Sequence, residues 1–173
     1  MSQNLSDEVE QLLRDGGKTL FLPELDGSHS VFGRDEIERF LPHRDLFLFL
    51  DEILWLDLEA GLIAAKYDLA RGKVILSGHF PNNPVWPGVL MVEAVAQSCG
   101  FFYNYQAGLA GGPGVMTSIL GARFIHPVTP GADLQIVSRV IQTGLLTEAV
   151  GQCLQNGKIC AVAAVNLISL KED

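Results

Sequence analysis

The sequence predicts a domain of the α+β class, in which an antiparallel sheet of about six strands wraps around one buried helix. The helix is predicted from an apolar segment, residues 87–105, that is too long for an ordinary strand. A helix that is apolar on almost every side must be enclosed by other structure, and a wrapped sheet provides this. The Asn156-Gly157 pair between two β-rich segments predicts a hairpin. The strands expected after the helix, as a four-strand meander, are 115–126, 133–142, 146–155 and 158–169.

The region before the helix contributes two more strands and two short helices. Acidic first-turn residues predict a helix over 6–14, and Pro42 ends a second helix that is predicted over 34–41. Two β-rich segments on either side of a turn-like stretch predict a hairpin. We therefore divide the chain into an N-terminal extension, 1–33, and a main domain, 34–173. The predicted hairpin strands are 46–56 and 61–69.

The composition narrows the class of protein. Hydrophobic residues make up 48% of the 173 residues, enough to bury a core and to exclude a disordered chain. A formal net charge of -8 argues against a nucleic-acid partner, because phosphate binding needs a basic surface. The N-terminus has no basic region before an apolar stretch, so we expect a cytoplasmic protein. Glu93 and Gln97 interrupt the longest apolar segment, which disfavours a membrane span.

The cysteines indicate neither a metal site nor a disulfide. Cys99, Cys153 and Cys160 are odd in number, widely spaced and set among apolar residues, with no CxxC pair. We expect reduced core residues, and we expect the protein to need no metal and no cofactor.

The segment from 78 to 93 carries the residues for chemistry. His79 lies in a loop rich in glycine and proline, and Glu93 lies about two turns inside the helix that follows. First-turn amides have no partner within a helix, so the amide of Gly88 can donate to a carbonyl oxygen that gains negative charge. Gly88 has no side chain to block a substrate, and Pro87 suits the first helical turn.

His79 and Glu93 supply the two groups that an elimination of water requires. The imidazole can act as the base. Burial disfavours the charged form of an unpaired carboxylate, and a neutral carboxylic acid can donate a proton. With the amide of Gly88, these groups suit β-elimination from a 3-hydroxyacyl thioester. Two structural interpretations stay open on the residues alone: an exposed or purely structural histidine, and a glutamate satisfied by Gln97.

The same segment resembles a known family, the 3-hydroxyacyl-[acyl carrier protein] dehydratases of bacterial fatty acid synthesis, which have the hot-dog fold. The resemblance covers about residues 34–169. The segments that carry it are Leu41-Pro42-His43-Arg44, Gly78-His79-Phe80-Pro81, Pro84-Val85-Trp86-Pro87-Gly88-Val89-Leu90, Glu93-Ala94-Val95-Ala96-Gln97, Ala122-Arg123-Phe124 and Pro127-Val128-Thr129-Pro130-Gly131-Ala132.

The resemblance implies a site shared between two subunits of a homodimer. His79 and Glu93 are then the catalytic pair from different subunits, and the amide of Gly88 binds the thioester carbonyl. It further implies that the carbonyl of Val85 lies near the histidine ring and that Gln97 orients the carboxylate. Assembly of three such dimers into a hexamer stays open. Phe80 and Pro87 complete the residues expected to bind substrate.

The resemblance also indicates the reaction and the partner. Glu93 is similar to the residue of the dehydratase type that does not isomerise, so we expect (3R)-3-hydroxyacyl-[acyl carrier protein] to give the trans-2-enoyl product, in fatty acid or related polyketide or lipid synthesis. The acidic carrier protein needs a local basic patch, for which we expect Arg123, with Arg44, Arg71 or Lys73. An isolated surface ion pair is the alternative role for Arg123.

Two other functions compete with this one. An enzyme of the same fold that acts on acyl-CoA, as a hydratase or a thioesterase, would use the same scaffold. A non-catalytic acyl-binding subunit would need neither His79 nor Glu93. Trp86 is expected, like the other aromatic residues around the helix, in the core or in the wall of the pocket. It stands where the family usually has methionine, and as a departure near the pocket mouth it would bear on acyl chain length.

Overall fold

The computed structural model describes residues 7–22, 30–112, 114–142 and 146–170. In chain order the helices are α1 (Asp7–Asp15), α2 (Arg34–Phe40), α3 (Lys73–Gly78) and α4 (Gly88–Ala107), and a 3-10 helix covers Asp45–Phe47. The strands are β1 (Glu52–Asp57), β2 (Leu62–Tyr67), β3 (Gly114–Phe124), β4 (Leu134–Gln142), β5 (Leu146–Gln155) and β6 (Lys158–Ser169).

The six strands form one antiparallel sheet in the order β1-β2-β4-β5-β6-β3, and α4 packs on its inner face. The helix lies close to the sheet at Gly151 of β5, where an added Cβ would lie 2.5 Å from a methyl group of Val95. Gly108, with φ of 68°, ends α4 in the left-handed region that glycine adopts without strain. The predicted fold class, one long helix enclosed by an antiparallel sheet of six strands, is confirmed.

The hairpin between β5 and β6 is also confirmed. Asn156 and Gly157 both have positive φ, 52° and 71°, as a type I′ turn requires, and Gln155 pairs with Lys158 across it.

The predicted four-strand meander is wrong in its first strand. β3 pairs with β6 at one edge of the sheet, and β4 pairs with β2. A tight turn joins β5 to β6, so those strands must be neighbours. β3 and β4 are joined by residues 125–133, a connection with Pro127 and Pro130 that makes no hairpin.

The first predicted strand, 46–56, is too long at its start. The side chain of Gln97 in α4 accepts a hydrogen bond from the amide of Phe49 (2.8 Å) and donates to the carbonyl of Phe47 (2.8 Å). Because these backbone groups are paired with a helix side chain, the chain there needs no neighbouring strand, and β1 begins at Glu52. Helix α3, which immediately precedes His79, had no counterpart in the sequence prediction.

The N-terminal extension packs on the outer face of the sheet over residues 7–22. Val9 of α1 is fully buried there. Gln152 of β5, also fully buried, donates to the carbonyls of Gly16 and Thr19 and accepts from the amide of Phe21. The boundary at residue 33 stays a prediction. The apolar residues around Val9 are Leu12, Leu13, Phe21, Leu120, Ile141, Val150, Val162 and Ala164.

Candidate active site

His79 follows α3 directly, and the loop to α4 fixes its ring. Its Nδ1 lies 2.7 Å from the carbonyl oxygen of Val85, while the amide of Val85 donates to the carbonyl of His79 (2.8 Å). A carbonyl oxygen only accepts hydrogen bonds, so Nδ1 carries a proton. In the neutral ring Nε2 then has a free lone pair and can accept a proton.

Phe80 lies on the surface beside the histidine. Its ring stacks on that of His79, with centroids 4.1 Å apart, and its side chain is 55% exposed. An exposed aromatic ring at this position is available to a ligand or to another protein chain. The predicted role of Phe80 in substrate binding is compatible with this exposure.

The N-terminus of α4 presents an unpaired amide. Pro87 is the residue before the helix, with φ of −60° and ψ of 129°, and Gly88 is the first helical residue. Among the described residues, no acceptor is bonded to the Gly88 amide. A Cβ on Gly88 would lie 2.9 Å from the ring of Phe124, so packing against β3 is a second reason for glycine here.

Glu93 lies in the second turn of α4 with its side chain 19% exposed. Its Oε1 accepts a hydrogen bond from Nε2 of Gln97 (2.9 Å), whose side chain is itself held by the backbone of 47–49. Within the described part of the chain, Oε2 of Glu93 has no hydrogen-bond partner. Gln97 therefore holds Glu93 by Oε1, and Oε2 is left without a bond to any described residue.

His43 is a residue of this site that the sequence prediction missed. Its Nε2 lies 3.6 Å from Oε1 of Glu93. Burial lowers the pKa of His43, an effect that the charge of Glu93 opposes and that of Arg44 reinforces. The two residues are fifty positions apart, so spacing gave no signal; the only pointer was the family-like segment that contains His43.

Glu93, His43 and Gln97 line a cleft of about 230 Å³ that His79 does not reach. Its remaining wall includes Gly114, Val115 and Met116, the first residues of the edge strand β3. A larger cavity, about 550 Å³, lies between α3 and the turn at 130–133 and contains neither His79 nor Glu93. A single chain therefore does not bring the predicted catalytic pair into one cavity.

Trp86 lies in the core, as expected for the aromatic residues, and not at the pocket mouth. Its side chain is 1% exposed and packs against Phe49 and Tyr67, with ring centroids 5.9 and 5.5 Å away. An added Cβ on Gly72 would lie 2.3 Å from the Trp86 ring, so that glycine makes room for the larger side chain.

Three of the four cations expected in a docking patch are engaged within the chain. Arg123 donates to the carbonyls of Leu13 and Arg14 at the end of α1. Arg71 pairs with Asp51 (2.9 Å). Arg44 binds the carbonyls of Glu38, Leu41 and His43. Lys73, at the start of α3, makes no ion pair with any described residue. Arg123 is thus neither free nor part of a surface ion pair.

The cysteines are free and buried. Burial raises the pKa of Cys99 to about 11 and also raises the pKa of Cys153 and Cys160, so these thiols stay protonated and unreactive near neutral pH. In the described ranges, no group of three His, Cys, Asp or Glu side chains is placed to hold a metal ion. No described helix is both long and apolar enough to cross a membrane.

Comparisons of the sequence place this scaffold among known proteins. The sequence model of the FabA-like domain matches residues 41–164. A 3-hydroxyacyl-[acyl-carrier-protein] dehydratase FabZ of Campylobacter concisus is 34% identical over 135 residues, 74% of this chain and 90% of that protein. The protein of the same name from Protochlamydia amoebophila is 34% identical over 143 residues, 78% of this chain and 87% of that protein.

Comparisons of the structure agree on the fold. The dehydratase heterocomplex ApeI:P of Xenorhabdus doucetiae includes a chain with a TM-score of 0.66 and 18% identity, covering 79% of this chain and 91% of that one. A putative thioesterase of Ralstonia eutropha has a TM-score of 0.52 and 21% identity, covering 67% and 82%. At such identities the likeness concerns the fold alone, and the expected hot-dog fold is confirmed.

Proposed function

The chain belongs to the FabA-like family, and from this membership we propose that it dehydrates (3R)-3-hydroxyacyl-[acyl carrier protein] to trans-2-enoyl-[acyl carrier protein], in fatty acid or related polyketide or lipid synthesis. The observation that carries the proposal is the bond between His79 and Val85. It fixes the ring with its Nε2 lone pair available as a base.

In the proposed reaction, Nε2 of His79 removes a proton from the α-carbon of the thioester. Negative charge moves to the thioester oxygen, where the amide of Gly88 stabilises it. The C3–O bond then breaks, and Glu93 in its acid form protonates the departing hydroxyl so that it leaves as water. The proton on His79 returns to Glu93 before the next turnover. No electron acceptor and no metal takes part in these steps.

We propose that the working unit is a homodimer built on β3. This strand is at the edge of the sheet, and it exposes Val115 (43%) and Ile119 (53%). An apolar edge with unpaired backbone groups favours pairing with another strand. The same strand walls the cleft of Glu93, so a second copy paired there would bring its own His79 towards that cleft. Sedimentation of active protein at the mass of one chain would contradict this, and a six-chain species would support the trimer of dimers.

We propose Lys73 as a docking residue for the acidic carrier protein, because it is the one expected cation that makes neither an ion pair nor a side-chain hydrogen bond with any described residue and it begins the helix that leads to His79. Lys73→Glu should raise KM for the carrier-bound substrate and leave the KM of a short pantetheine thioester unchanged. Lys158→Glu, an exposed change at the first residue of β6, is the matched control. Equal effects of the Lys73 change on both substrates would contradict the docking role.

A substrate bound to the carrier protein requires the enzyme to be in the same compartment as the carrier. We propose that this compartment is the cytoplasm.

The substrate assignment is tested with 3-hydroxyacyl groups of several lengths on carrier protein and on CoA, by following the absorbance of the conjugated product. We expect kcat/KM to be at least about tenfold higher on the carrier, a difference of about 1.4 kcal/mol. Equal values on both carriers would favour an acyl-CoA hydratase, and release of free thiol without a conjugated product would indicate a thioesterase.

A further inference from the structure

The carboxylate of Glu93 has a second polar neighbour besides Gln97. His43, in the segment between α2 and the 3-10 helix, places its Nε2 3.6 Å from the same oxygen, Oε1. Both side chains are mostly buried, at 23% and 19% exposed, and both line the same cleft. We propose that His43 is a positioning residue, which acts with Gln97 to hold Oε1 of Glu93 so that Oε2 faces the substrate. This inference rests on the function proposed above.

The ring of His43 has one nitrogen that can serve this purpose. Nδ1 is buried and has no hydrogen-bond partner among the described residues, whereas Nε2 points at the carboxylate. Because burial lowers the pKa of His43, the ring is neutral near pH 7 and carries one proton. The proton is most useful on Nε2, where an acceptor is close, so His43 acts as a neutral donor.

At 3.6 Å, the two atoms are neighbours but are too far apart for a hydrogen bond in the single chain. Donor and acceptor distances in catalytic sites are often long without substrate and shorten when the complex forms. Here the first residues of β3 form part of the cleft wall, and β3 is the edge at which we place the second subunit. A second subunit on that edge would exclude water and strengthen the interaction between His43 and Glu93.

The segment around His43 is held in place on both sides. Its ring lies nearly parallel to that of Phe47, at an interplanar angle of 17° with centroids 6.4 Å apart, and the carbonyl of Phe47 accepts the hydrogen bond from Gln97. Arg44 binds the carbonyls of Glu38 (2.7 Å) and Leu41 (2.6 Å). His43 and Gln97 are therefore fixed by the same stretch of backbone, which suits two residues that orient one carboxylate.

Two substitutions separate a donor from a packing residue. His43→Gln keeps an N–H donor but loses the ring, whereas His43→Phe keeps a ring that can stack on Phe47 but has no donor. We expect the Phe variant to lower kcat about tenfold with KM within about twofold, and the Gln variant to keep most of the activity. A residue that only packs would give the reverse order. If the Phe variant does not fold, His43→Leu serves as the variant without a donor.

The decisive measurement combines His43→Phe with Glu93→Gln. If His43 acts through Glu93, the Phe substitution should cost less than about twofold in kcat when Glu93 is already replaced. An equal loss in both backgrounds, or an equal loss for the Gln and Phe variants of His43, would overturn the positioning role and leave the proposed function intact. If Glu93→Gln alone kept normal turnover, the proposed acid would be wrong, and the role of His43 with it.

Discussion

Gln97 lies in α4, on the inner side of the sheet, and Gln152 lies in β5 with its side chain on the outer side. Both are buried, and each uses its side-chain amide to hold a neighbouring stretch of backbone. Gln97 binds residues 47 and 49, and Gln152 binds residues 16, 19 and 21. The difference is the third bond of Gln97, which goes to the carboxylate of Glu93. The same kind of side-chain bonding thus anchors an extension on one face and holds the proposed catalytic carboxylate on the other.

The two faces also differ in their relation to the family. The matched residues, 41–164, include all of α4 and the lining of its cleft except Leu167, whereas α1 and the backbone that Gln152 holds lie before them. The outer-face contact therefore belongs to the extension of this chain. We expect changes on the inner face to affect catalysis and changes on the outer face to affect stability alone.

The largest effect is expected on the inner face, from the proposed catalytic pair. His79→Ala and Glu93→Gln should each lower kcat by at least about a hundredfold, the usual scale for one acid-base group. The double variant should be little worse than the worse single variant, because both groups act in one step. Steady-state kinetics and melting curves check this; a single variant with normal turnover and an unchanged Tm would show that its residue is not catalytic.

The two glutamines provide the matched comparison. Gln97→Leu and Gln152→Leu should each lower the free energy of unfolding by about 1–3 kcal/mol, since each leaves buried backbone groups without a partner. Only Gln97→Leu should also lower kcat, by about ten- to a hundredfold, because Glu93 loses its orientation. Urea unfolding and kcat are measured on both, with the exposed Gln106→Ala as control. A loss of kcat in the Gln152 variant would contradict the expectation that changes on the outer face affect stability alone.

Alkaline pH should lower the free energy of unfolding through a residue of the core on the inner side of the sheet. Burial raises the pKa of Tyr67, which packs in the main core beside Trp86, to about 12. Because this pKa lies above the unfolded value of about 10, the neutral phenol stabilises the fold below pH 10, and that stabilisation is lost as the pH rises towards 12. Tyr67→Phe should flatten the unfolding free energy between these pH values, whereas Gln152→Leu should leave its slope unchanged. An unaltered slope in the Phe variant would exclude Tyr67 as the source.

The smallest effect concerns the thiols, all of which lie in the inner core. With pKa values raised by burial, native Cys99, Cys153 and Cys160 should react with a disulfide reagent at pH 8 far more slowly than in urea. Gln152→Leu should not speed the native reaction if the two faces open independently. Rapid labelling in that variant would show that loosening the outer face also opens the core.

The sequence predicted those parts of the molecule in which local chemistry decides the structure. The turn residues Asn156-Gly157 predicted the pairing of β5 with β6, and the length of the apolar segment predicted α4. Residue types alone also singled out the histidine in its loop and the carboxylate in the helix. The place of β3 beside β6 was not predictable in this way, because it depends on pairing between strands far apart in the chain. The same limit applies to His43, which reaches Glu93 only through the fold.

Trp86 illustrates a further limit. Its position in a family-like segment suggested a place near the pocket mouth, but its burial depends on the space that Gly72 leaves and on the rings of Phe49 and Tyr67. Arg123 is similar: its charge suggested a docking role, and the carbonyls at the end of α1 account for it instead. Residue type predicts what a side chain can do, and only the packed structure determines which partner it has.

The central claim is that the site combines His79 of one chain with Glu93 of another, and mixing two inactive variants tests it most directly. His79→Ala and Glu93→Gln are unfolded together in equal amounts and refolded, so that half of the dimers contain one chain of each kind. Every mixed dimer then has one site with both residues intact, and activity should return to about a quarter of the wild-type value. If mixing restores no activity although mixed dimers are detected by mass, both residues act within one chain and the shared site is wrong.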